Sequence, residues 1–297
     1  MTEELSGHEL LDQELVDTLK ERLDSNRKAL HDLRAVTKQL EMTNRKLQES
    51  EALKSHFLSN IRNEINNPLT SIMGLSRQLI AKPDSMENVS LVGPMIYMEA
   101  FTLDFQLQNI FIAAELEAGE ALPAYAKVDV TGVIDTSFNL QLHQISQKNI
   151  SVIKTVPENL MFVSDAHKLQ IILMNLLSNA LEFSPEGAKV EVVAESRDGG
   201  LCLTVKDGGI GIDSDDQERV FDRFHQLDAG STKSHPGHGL GLSISKALAE
   251  LMEGTVSLSS TPGAGCTVEL FLPAPNVDVN MTAQDSNVFL FDEPEEF

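Results

Sequence analysis

The chain has 297 residues, 41% of them hydrophobic, and a formal net charge of −22 from 23 basic and 45 acidic side chains. This length allows about two compact domains, and the charge disfavours nucleic acid and anionic lipid as partners because like charges repel. No uninterrupted run of about 18 apolar residues occurs, and the acidic N-terminus lacks an apolar signal core. The sequence therefore predicts a cytoplasmic protein with no membrane span, in which Cys202 and Cys266 are reduced core thiols.

Residues 1–50 have the pattern of a coiled-coil helix. Apolar side chains recur at alternating spacings of three and four residues, as in the seam of a two-stranded coiled coil. The seam would contain Val16, Leu19, Leu23, Leu30, Leu33, Leu40 and Leu47, interrupted by Asn26, Thr37 and Asn44. A solvated single helix is the alternative.

Residues 51–120 predict a hairpin of two long helices. The first has an apolar stripe that extends to Leu79, and the residues 82–85, Lys-Pro-Asp-Ser, break it. The second runs from about Leu91 to Ala118 and ends at Gly119. The apolar stripe of one hairpin is unsatisfied alone, so we predict a homodimer in which two hairpins form a four-helix bundle.

Residues 125–273 combine short β-rich segments with helical ones. Strands are predicted at residues 150–156, 160–163, 188–195, 201–206, 255–260 and 266–272, and helices at 131–147, 166–182 and 240–252. This mixture predicts an α/β sandwich with helices on one face of a mixed sheet, and hence an α+β multi-domain chain. The acidic tail, residues 274–297, is predicted to be disordered.

Two segments of the α/β region predict contacts with a metal ion and a base. Asn175 and Asn179 are four residues apart, hence on one helix face, and amide oxygens are suitable ligands for Mg²⁺. Asp207 directly follows an apolar strand and is placed to accept a hydrogen bond from an adenine amino group. Gly209 and Gly211 would let the backbone approach the ring closely.

A third segment predicts a phosphate site. Residues 237–241, Gly-His-Gly-Leu-Gly, open a helix whose N–H groups and dipole suit a phosphate chain. Each of these three signals is weak alone, because glycine clusters and spaced asparagines are common in turns and on polar surfaces. A dinucleotide-binding fold is excluded, because the glycines at 209 and 211 lack the third glycine of that fingerprint.

Taken in order, these segments resemble the sensor histidine kinases and the wider ATPase fold that they share with gyrase, heat-shock chaperones and mismatch-repair proteins. The resemblance covers about Lys54 to Leu272. It includes residues 220–224, similar to the family's Phe box, and residues 261–266, similar to its last glycine box. Several weak signals in one order are jointly far stronger than any one of them.

The resemblance implies that the chain binds ATP and Mg²⁺. Asn175 and Asn179 would meet the metal and the phosphates, and Asp207 would bind adenine. A mobile lid is expected from Phe221 to His238. The remaining residues expected around the base, the lid and the phosphates are Gly209, Gly211, Phe221, Arg223, Lys233, Gly237, Gly239, Leu240 and Gly241.

Glu182 departs from the family, which usually has a basic residue at this position. Two like charges about 5 Å apart cost about 3 kcal/mol at an effective dielectric constant near 20, so a Glu182 that faced the phosphates would weaken ATP binding. We expect Glu182 to turn to solvent, with Lys233 or Arg223 as the substitute cation.

The first hairpin helix carries a segment that resembles the family's phospho-acceptor box, a His-Glu pair followed by Pro-Leu. Glu64, Pro68 and Leu69 match, but Asn63 stands at the acceptor position. A histidine ring nitrogen has a free lone pair near neutral pH, whereas the amide nitrogen of Asn is conjugated and is not a useful nucleophile. The sequence therefore predicts no autophosphorylation at Asn63.

Glu64 and Asn67 also match the family's phosphatase pattern, Glu-x-x-Asn, in which the amide orients a water toward an aspartyl phosphate. A structural role for Asn67, capping a kink before Pro68, is the alternative. His56 lies two turns before Asn63 on the same face and is an alternative acceptor, although no Glu follows it.

The leading hypothesis is a homodimeric, histidine-kinase-like protein of two-component signal transduction. It would engage a response-regulator receiver domain as a phosphatase or as a sequestering pseudokinase. Two alternatives stay open. One is an active histidine kinase that uses another acceptor or phosphorylates a partner in trans, and the other is a non-kinase ATPase of the same fold.

Overall fold

The computed structural model describes residues 22, 27–28, 31–45, 48, 62, 65–82, 85–223 and 239–277. The chain divides into two compact units, residues 1–56 and 57–297. In the first unit residues 31–45 are helical, and the seam residues Leu33 and Leu40 are exposed. The coiled coil stays a prediction, and so does the disorder of the tail, which lies outside the described residues beyond position 277. No helix in the described part of the chain is long and apolar enough to cross a bilayer.

The second unit begins with a helical hairpin. Helix α1 covers residues 65–81 and helix α2 is Met86–Ala118. The Oγ of Ser85 caps α2 by accepting from the N–H of Asn88 at 3.2 Å, which starts this helix five residues before the predicted Leu91. Gly119 ends it in the left-handed region at φ 69°.

A mixed sheet and its helices follow. The remaining elements are β1 (Ala126–Asp129), α3 (Val130–Leu140), α4 (Leu142–Gln147), β2 (Ser151–Thr155), β3 (Met161–Ser164), α5 (Ala166–Phe183), β4 (Lys189–Arg197), β5 (Gly200–Asp207), α6 (Gly241–Leu251), β6 (Thr255–Thr261) and β7 (Gly265–Pro273). The main sheet has the order β2-β4-β5-β7-β6, in which only β2 and β4 pair in parallel. Helix α5 packs on α3, α6 and β5, and most of its apolar side chains are fully buried. The predicted α+β fold class is confirmed.

Two details of the α/β region differ from the sequence-based expectation. The helix expected over residues 131–147 is divided at Gln141, whose buried amide donates to the carbonyl of Met174 at 3.4 Å. The strand expected at residues 160–163 lies outside the main sheet. As β3 it pairs antiparallel with β1, which periodicity did not reveal because it has only four residues.

Both ends of α5 are capped by side chains. Asp165 is 3% exposed and accepts from the N–H and the ammonium of Lys168 and from the N–H of Ala124. At the other end the ammonium of Lys148 donates to the carbonyls of Leu181, Glu182 and Ser184. A carboxylate at the N-terminus and a cation at the C-terminus both complement the helix dipole. These caps fix the helix that carries Asn175.

The C-terminal part of α2 belongs to the core of the α/β region. Ile112 and Ala113 are 7% and 8% exposed and lie in the same hydrophobic cluster as the buried residues of α5 and α6. The second hairpin helix is therefore fixed to the α/β region by packing as well as by its covalent connection.

Candidate nucleotide-binding site

Asp207 lies at the end of β5, where backbone groups fix its carboxylate. Its Oδ1 accepts from the N–H of Gly209 at 2.8 Å and from the N–H of Cys266 at 3.1 Å. Its Oδ2 accepts from no donor among the described residues. Burial raises the pKa of the Asp207 carboxyl, and the bonds from Gly209 and Cys266 offset part of that effect. One oxygen is therefore anchored and the other is available to a ligand.

The glycines after β5 allow the chain to approach itself closely. A β-carbon on Gly209 would lie 2.7 Å from the Phe183 carbonyl oxygen. Gly211 has φ 71°, and a β-carbon there would overlap the carbonyl oxygen of Thr261. Gly265 has φ 86° and is equally crowded against the carbonyl oxygen of Asp207. The structure thus gives these glycines a packing role, and their expected contact with a base stays a prediction.

Asn175 and Asn179 lie on one face of α5, as their spacing predicts. Asn175 is 4% exposed, and Asn179 is half-buried one turn later. A β-carbon on Gly241 would lie 3.2 Å from the Oδ1 of Asn175. That oxygen therefore faces the first residue of α6.

The N-terminus of α6 meets this face of α5. Gly239 has φ 66°, and Leu240 is 3% exposed and packs in the core. Within the described residues, no side chain caps the first turn of α6. Its N–H groups are thus left to other acceptors, which is the usual condition of a phosphate-binding helix terminus.

Part of the predicted lid is described. Phe221 ends a short 3₁₀ turn, and its ring lies 5.5 Å from the ammonium of Lys246 on α6. The guanidinium of Arg223 donates to the carboxylate of Glu117 on α2 at 3.1 Å, so here it is paired outside the phosphate loop. Lys233 and Gly237 lie outside the described residues, which resume at Gly239.

We expected Glu182 to turn to solvent, but its side chain does not point fully into solvent. Its side chain is half-buried, and its Oε1 is buried. Nearby, the ammonium of Lys148 donates to the Glu182 carbonyl at 2.6 Å. A cation thus lies near this end of α5, where it donates hydrogen bonds to backbone carbonyl oxygens.

The family comparison agrees with this geometry. Residues 164–276 match the family of histidine kinase-, DNA gyrase B- and HSP90-like ATPases. The matched range contains Asn175 and Gly241, which lie side by side, and Asp207, whose neighbour Gly209 lies against the C-terminal end of α5. Residues 164–276 are an ATPase domain of this family.

Relatives that match three quarters or more of this chain are sensor histidine kinases. SenX3 of Mycobacterium tuberculosis is 33% identical over 224 residues, which are 75% of this chain and 55% of SenX3. The autoinducer 2 sensor kinase/phosphatase LuxQ of Vibrio vulnificus is 30% identical over 243 residues, 80% of this chain and 28% of LuxQ. The chain therefore spans little more than half of SenX3 and less of LuxQ.

A solved structure supports the same assignment. The crystal structure of full-length ShkA in complex with AMPPNP matches with a TM-score of 0.53 and 26% identity over 80% of this chain and 47% of ShkA. The ATPase domain and the helical region before it therefore have the architecture of a histidine kinase.

The described residues of the ATPase domain fit Mg²⁺ and ATP. The Oδ1 of Asn175 is a hard oxygen ligand next to an uncapped helix terminus, and Asp207 keeps one carboxylate oxygen available. Asn175 and Asn179 would hold the metal, the first turn of α6 the phosphates, and Asp207 the base. Bound Mg²⁺ would neutralise phosphate charge, which a chain of net charge −22 needs.

Of the acceptor-like box, the structure describes only the second half. Asn63 and Glu64 lie outside the described residues, as does His56. Asn67 is exposed in α1 and Pro68 is buried beside it, and residues 65–81 form one helix. The amide of Asn67 is therefore accessible to another molecule.

Sequence reasoning missed the residues that reach the site from outside the family's motifs. Asn109 on α2 accepts from Asn175, and Glu117 pairs with Arg223. The one signal for Asn109 is an amide among the apolar positions of a helix, and such residues are usually paired when buried.

Proposed function

We propose that this chain is an ATP-binding, histidine-kinase-like protein of two-component signal transduction that does not autophosphorylate at position 63. The observation that carries the nucleotide part is that the Oδ1 of Asn175 faces the uncapped first turn of α6. The loop of Asp207 lies against the C-terminal end of the same helix α5, where a β-carbon on Gly209 would lie 2.7 Å from the Phe183 carbonyl oxygen. The membership of residues 164–276 in the ATPase family supports it.

The absence of autophosphorylation follows from the chemistry of position 63. Phosphoryl transfer needs a nucleophile with an available lone pair, and Asn63 offers an amide nitrogen whose lone pair is delocalised. ATP would then bind without transferring its phosphate to position 63, and the bound nucleotide would stabilise one conformation of the ATPase domain.

Action on a response-regulator receiver as a phosphatase is the second part of the proposal. The exposed amide of Asn67 can orient a water for attack on an aspartyl phosphate without itself being a nucleophile. The name of LuxQ, a sensor kinase/phosphatase, supports a phosphatase role in a relative. A pseudokinase that only sequesters the receiver is the alternative outcome.

A cytoplasmic homodimer is the third part. Helix α1 exposes the apolar side chains of Leu69, Met73 and Ile80, which are four and seven residues apart. This spacing is that of one helix stripe, and such a stripe is suited to pairing with a second hairpin. Sedimentation of the full chain should give a dimer that Met73→Glu dissociates.

Incubation of the full chain with γ-labelled ATP and Mg²⁺ tests the kinase part. We expect nucleotide binding without label on the protein. Acid-labile phosphate on the wild type that disappears in His56→Ala would refute the proposal in favour of an alternative acceptor. Label transferred to a conventional kinase with an inactive ATP site would instead establish a trans kinase.

A panel of receiver domains phosphorylated with acetyl phosphate tests the phosphatase part. We expect the chain to accelerate loss of phosphate from at least one receiver, and Asn67→Ala to lower that rate by about 100-fold, since orientation effects are of this order or larger. Asn66→Ala is the matched control, an exposed asparagine one residue earlier on α1. Binding without acceleration would leave the sequestering role.

A further inference from the structure

Two buried asparagines join the helical hairpin to the nucleotide site. Asn109 of α2 is 7% exposed and Asn175 of α5 is 4% exposed. The Nδ2 of Asn175 donates to the Oδ1 of Asn109 at 2.8 Å. A buried amide that loses its partner carries the full desolvation penalty of an unpaired polar group, so the two side chains hold each other in place.

The direction of this hydrogen bond is set by the backbone. The Nδ2 of Asn109 donates to the carbonyl oxygen of Phe105 at 2.9 Å, and a carbonyl oxygen only accepts. Asn109 must therefore present its Oδ1 to α5, and only the N–H side of Asn175 can meet it. The chain of bonds from Phe105 excludes the exchange of oxygen and nitrogen that is often ambiguous for asparagine.

The orientation of Asn175 follows from this chain of bonds. Because its Nδ2 is held by Asn109, its Oδ1 faces Gly241 at the start of α6. Among the described residues, no donor bonds to that oxygen. A flipped amide would present N–H groups there, and these repel a cation, whereas an oxygen is the ligand that Mg²⁺ prefers.

We propose that Asn109 is a positioning residue for the magnesium ligand Asn175, so that the hairpin completes the Mg²⁺–ATP site from outside residues 164–276. This inference rests on the proposed function, because it takes Asn175 as a magnesium ligand. Asn109 itself touches neither metal nor nucleotide. Ile112 and Ala113, about one turn later on α2, are packed in the core and hold it in register.

The magnesium dependence of ATP affinity in the full chain tests this proposal. Calorimetric titration gives Kd with Mg²⁺ and Kd in EDTA, and the ratio of the second to the first reports the metal contribution. Asn109→Leu keeps a similar side-chain volume and removes the acceptor. We expect the ratio to fall about tenfold, as is typical when the outer partner of a metal ligand is removed, with the EDTA value changed less than about twofold.

Two further variants separate positioning from packing. Asn88→Leu is the matched control, because Asn88 is a buried asparagine of the same helix that bonds to Gln78. It lies 21 residues from Asn109, about 32 Å along α2, and should leave the ratio unchanged. Asn109→Asp retains an acceptor that faces Asn175 but loses the bond to the Phe105 carbonyl, so its ratio should fall less than that of Asn109→Leu. If Asn109→Leu does not fold, Asn109→Ala carries the same prediction.

Each outcome decides one claim. A wild type that binds no ATP refutes the proposed function. A wild type with strong magnesium dependence that Asn109→Leu retains refutes only the positioning role. Equal weakening with Mg²⁺ and with EDTA, or an equal fall in Asn109→Asp, makes Asn109 a packing residue. Tighter Mg²⁺–ATP binding in Asn109→Leu makes the contact inhibitory and also overturns the proposal.

Discussion

Replacement of Asp207 by asparagine separates the contribution of this residue to folding from its contribution to adenine recognition. The Oδ1 of Asp207 accepts from two backbone N–H groups, those of Gly209 and Cys266. In Asp207→Asn the amide oxygen must take that position, because both of its neighbours are donors. The amide NH₂ then replaces Oδ2 and faces the ligand, where it meets the adenine amino group donor to donor.

The magnitude follows from the bond that is lost. A hydrogen bond to a charged group contributes about 1.5–3 kcal/mol, so ATP binding should weaken about 10- to 100-fold. Stability should stay the same or rise slightly. Burial raises the pKa of Asp207, so the folded state favours the carboxylate less than the unfolded state does, and the neutral amide avoids this cost.

Competition between ATP and ITP in calorimetric titrations is the sharpest assay. ITP carries a carbonyl in place of the adenine amino group, so it should bind the wild type poorly and Asp207→Asn at least as well as ATP does. Asp213→Asn, an exposed carboxylate in the same loop, is the matched control. An unchanged ATP-to-ITP preference in Asp207→Asn would refute the assignment of Asp207 to the base.

Three further predictions concern the frame of the site. Gly265→Ala should abolish ATP binding and destabilise the fold by more than about 2 kcal/mol in thermal melts. Gly263 also has a positive φ but has open space around it, so Gly263→Ala should cost only about 1 kcal/mol. Equal effects of the two substitutions would contradict the crowding at Gly265. Asp165→Asn should cost about 3 kcal/mol at neutral pH, because it leaves the ammonium of Lys168 unpaired. Burial raises the pKa of Asp165, but the bonds from Lys168 and Ala124 together outweigh it and the pKa is lowered. The stabilisation by Asp165 is therefore full above its unfolded pKa of about 4 and is lost as the pH falls through its lower folded pKa. Denaturant titrations should show the difference in unfolding free energy between Asp165→Asn and the wild type disappearing in acid. Lys148→Met should cost about 1–2 kcal/mol in the same titrations by uncapping α5, and a loss below about 0.3 kcal/mol would contradict the capping role.

The sequence was sufficient for the fold class and for placing several candidate residues on their elements, because both depend on local pattern. The spacing of Asn175 and Asn179 fixes their common helix face, and Asp207 is the last residue of an apolar strand that two glycines follow. These signals need no knowledge of distant contacts.

What the sequence did not reveal depends on residues far apart in the chain. The bond between Asn109 and Asn175 joins positions 66 residues apart, and no periodicity encodes that pairing. The short strand β1 is recognisable only from its partner β3. The half-buried position of Glu182 likewise depends on how the end of α5 packs.

The length of α2 gives the asparagine pair a mechanical meaning. The helix has 33 residues, and Met86 lies 26 residues from the packed Ile112, about 40 Å at 1.5 Å per residue. If α2 pivots there as a rigid rod, a tilt of about 5° moves the hairpin turn by about 3 Å and Asn109 by about 0.4 Å. That small step stretches its 2.8 Å bond with Asn175 to the limit of about 3.2 Å for a good hydrogen bond. The helix would thus act as a lever arm that converts a visible movement at one end into the making or breaking of a single contact at the other.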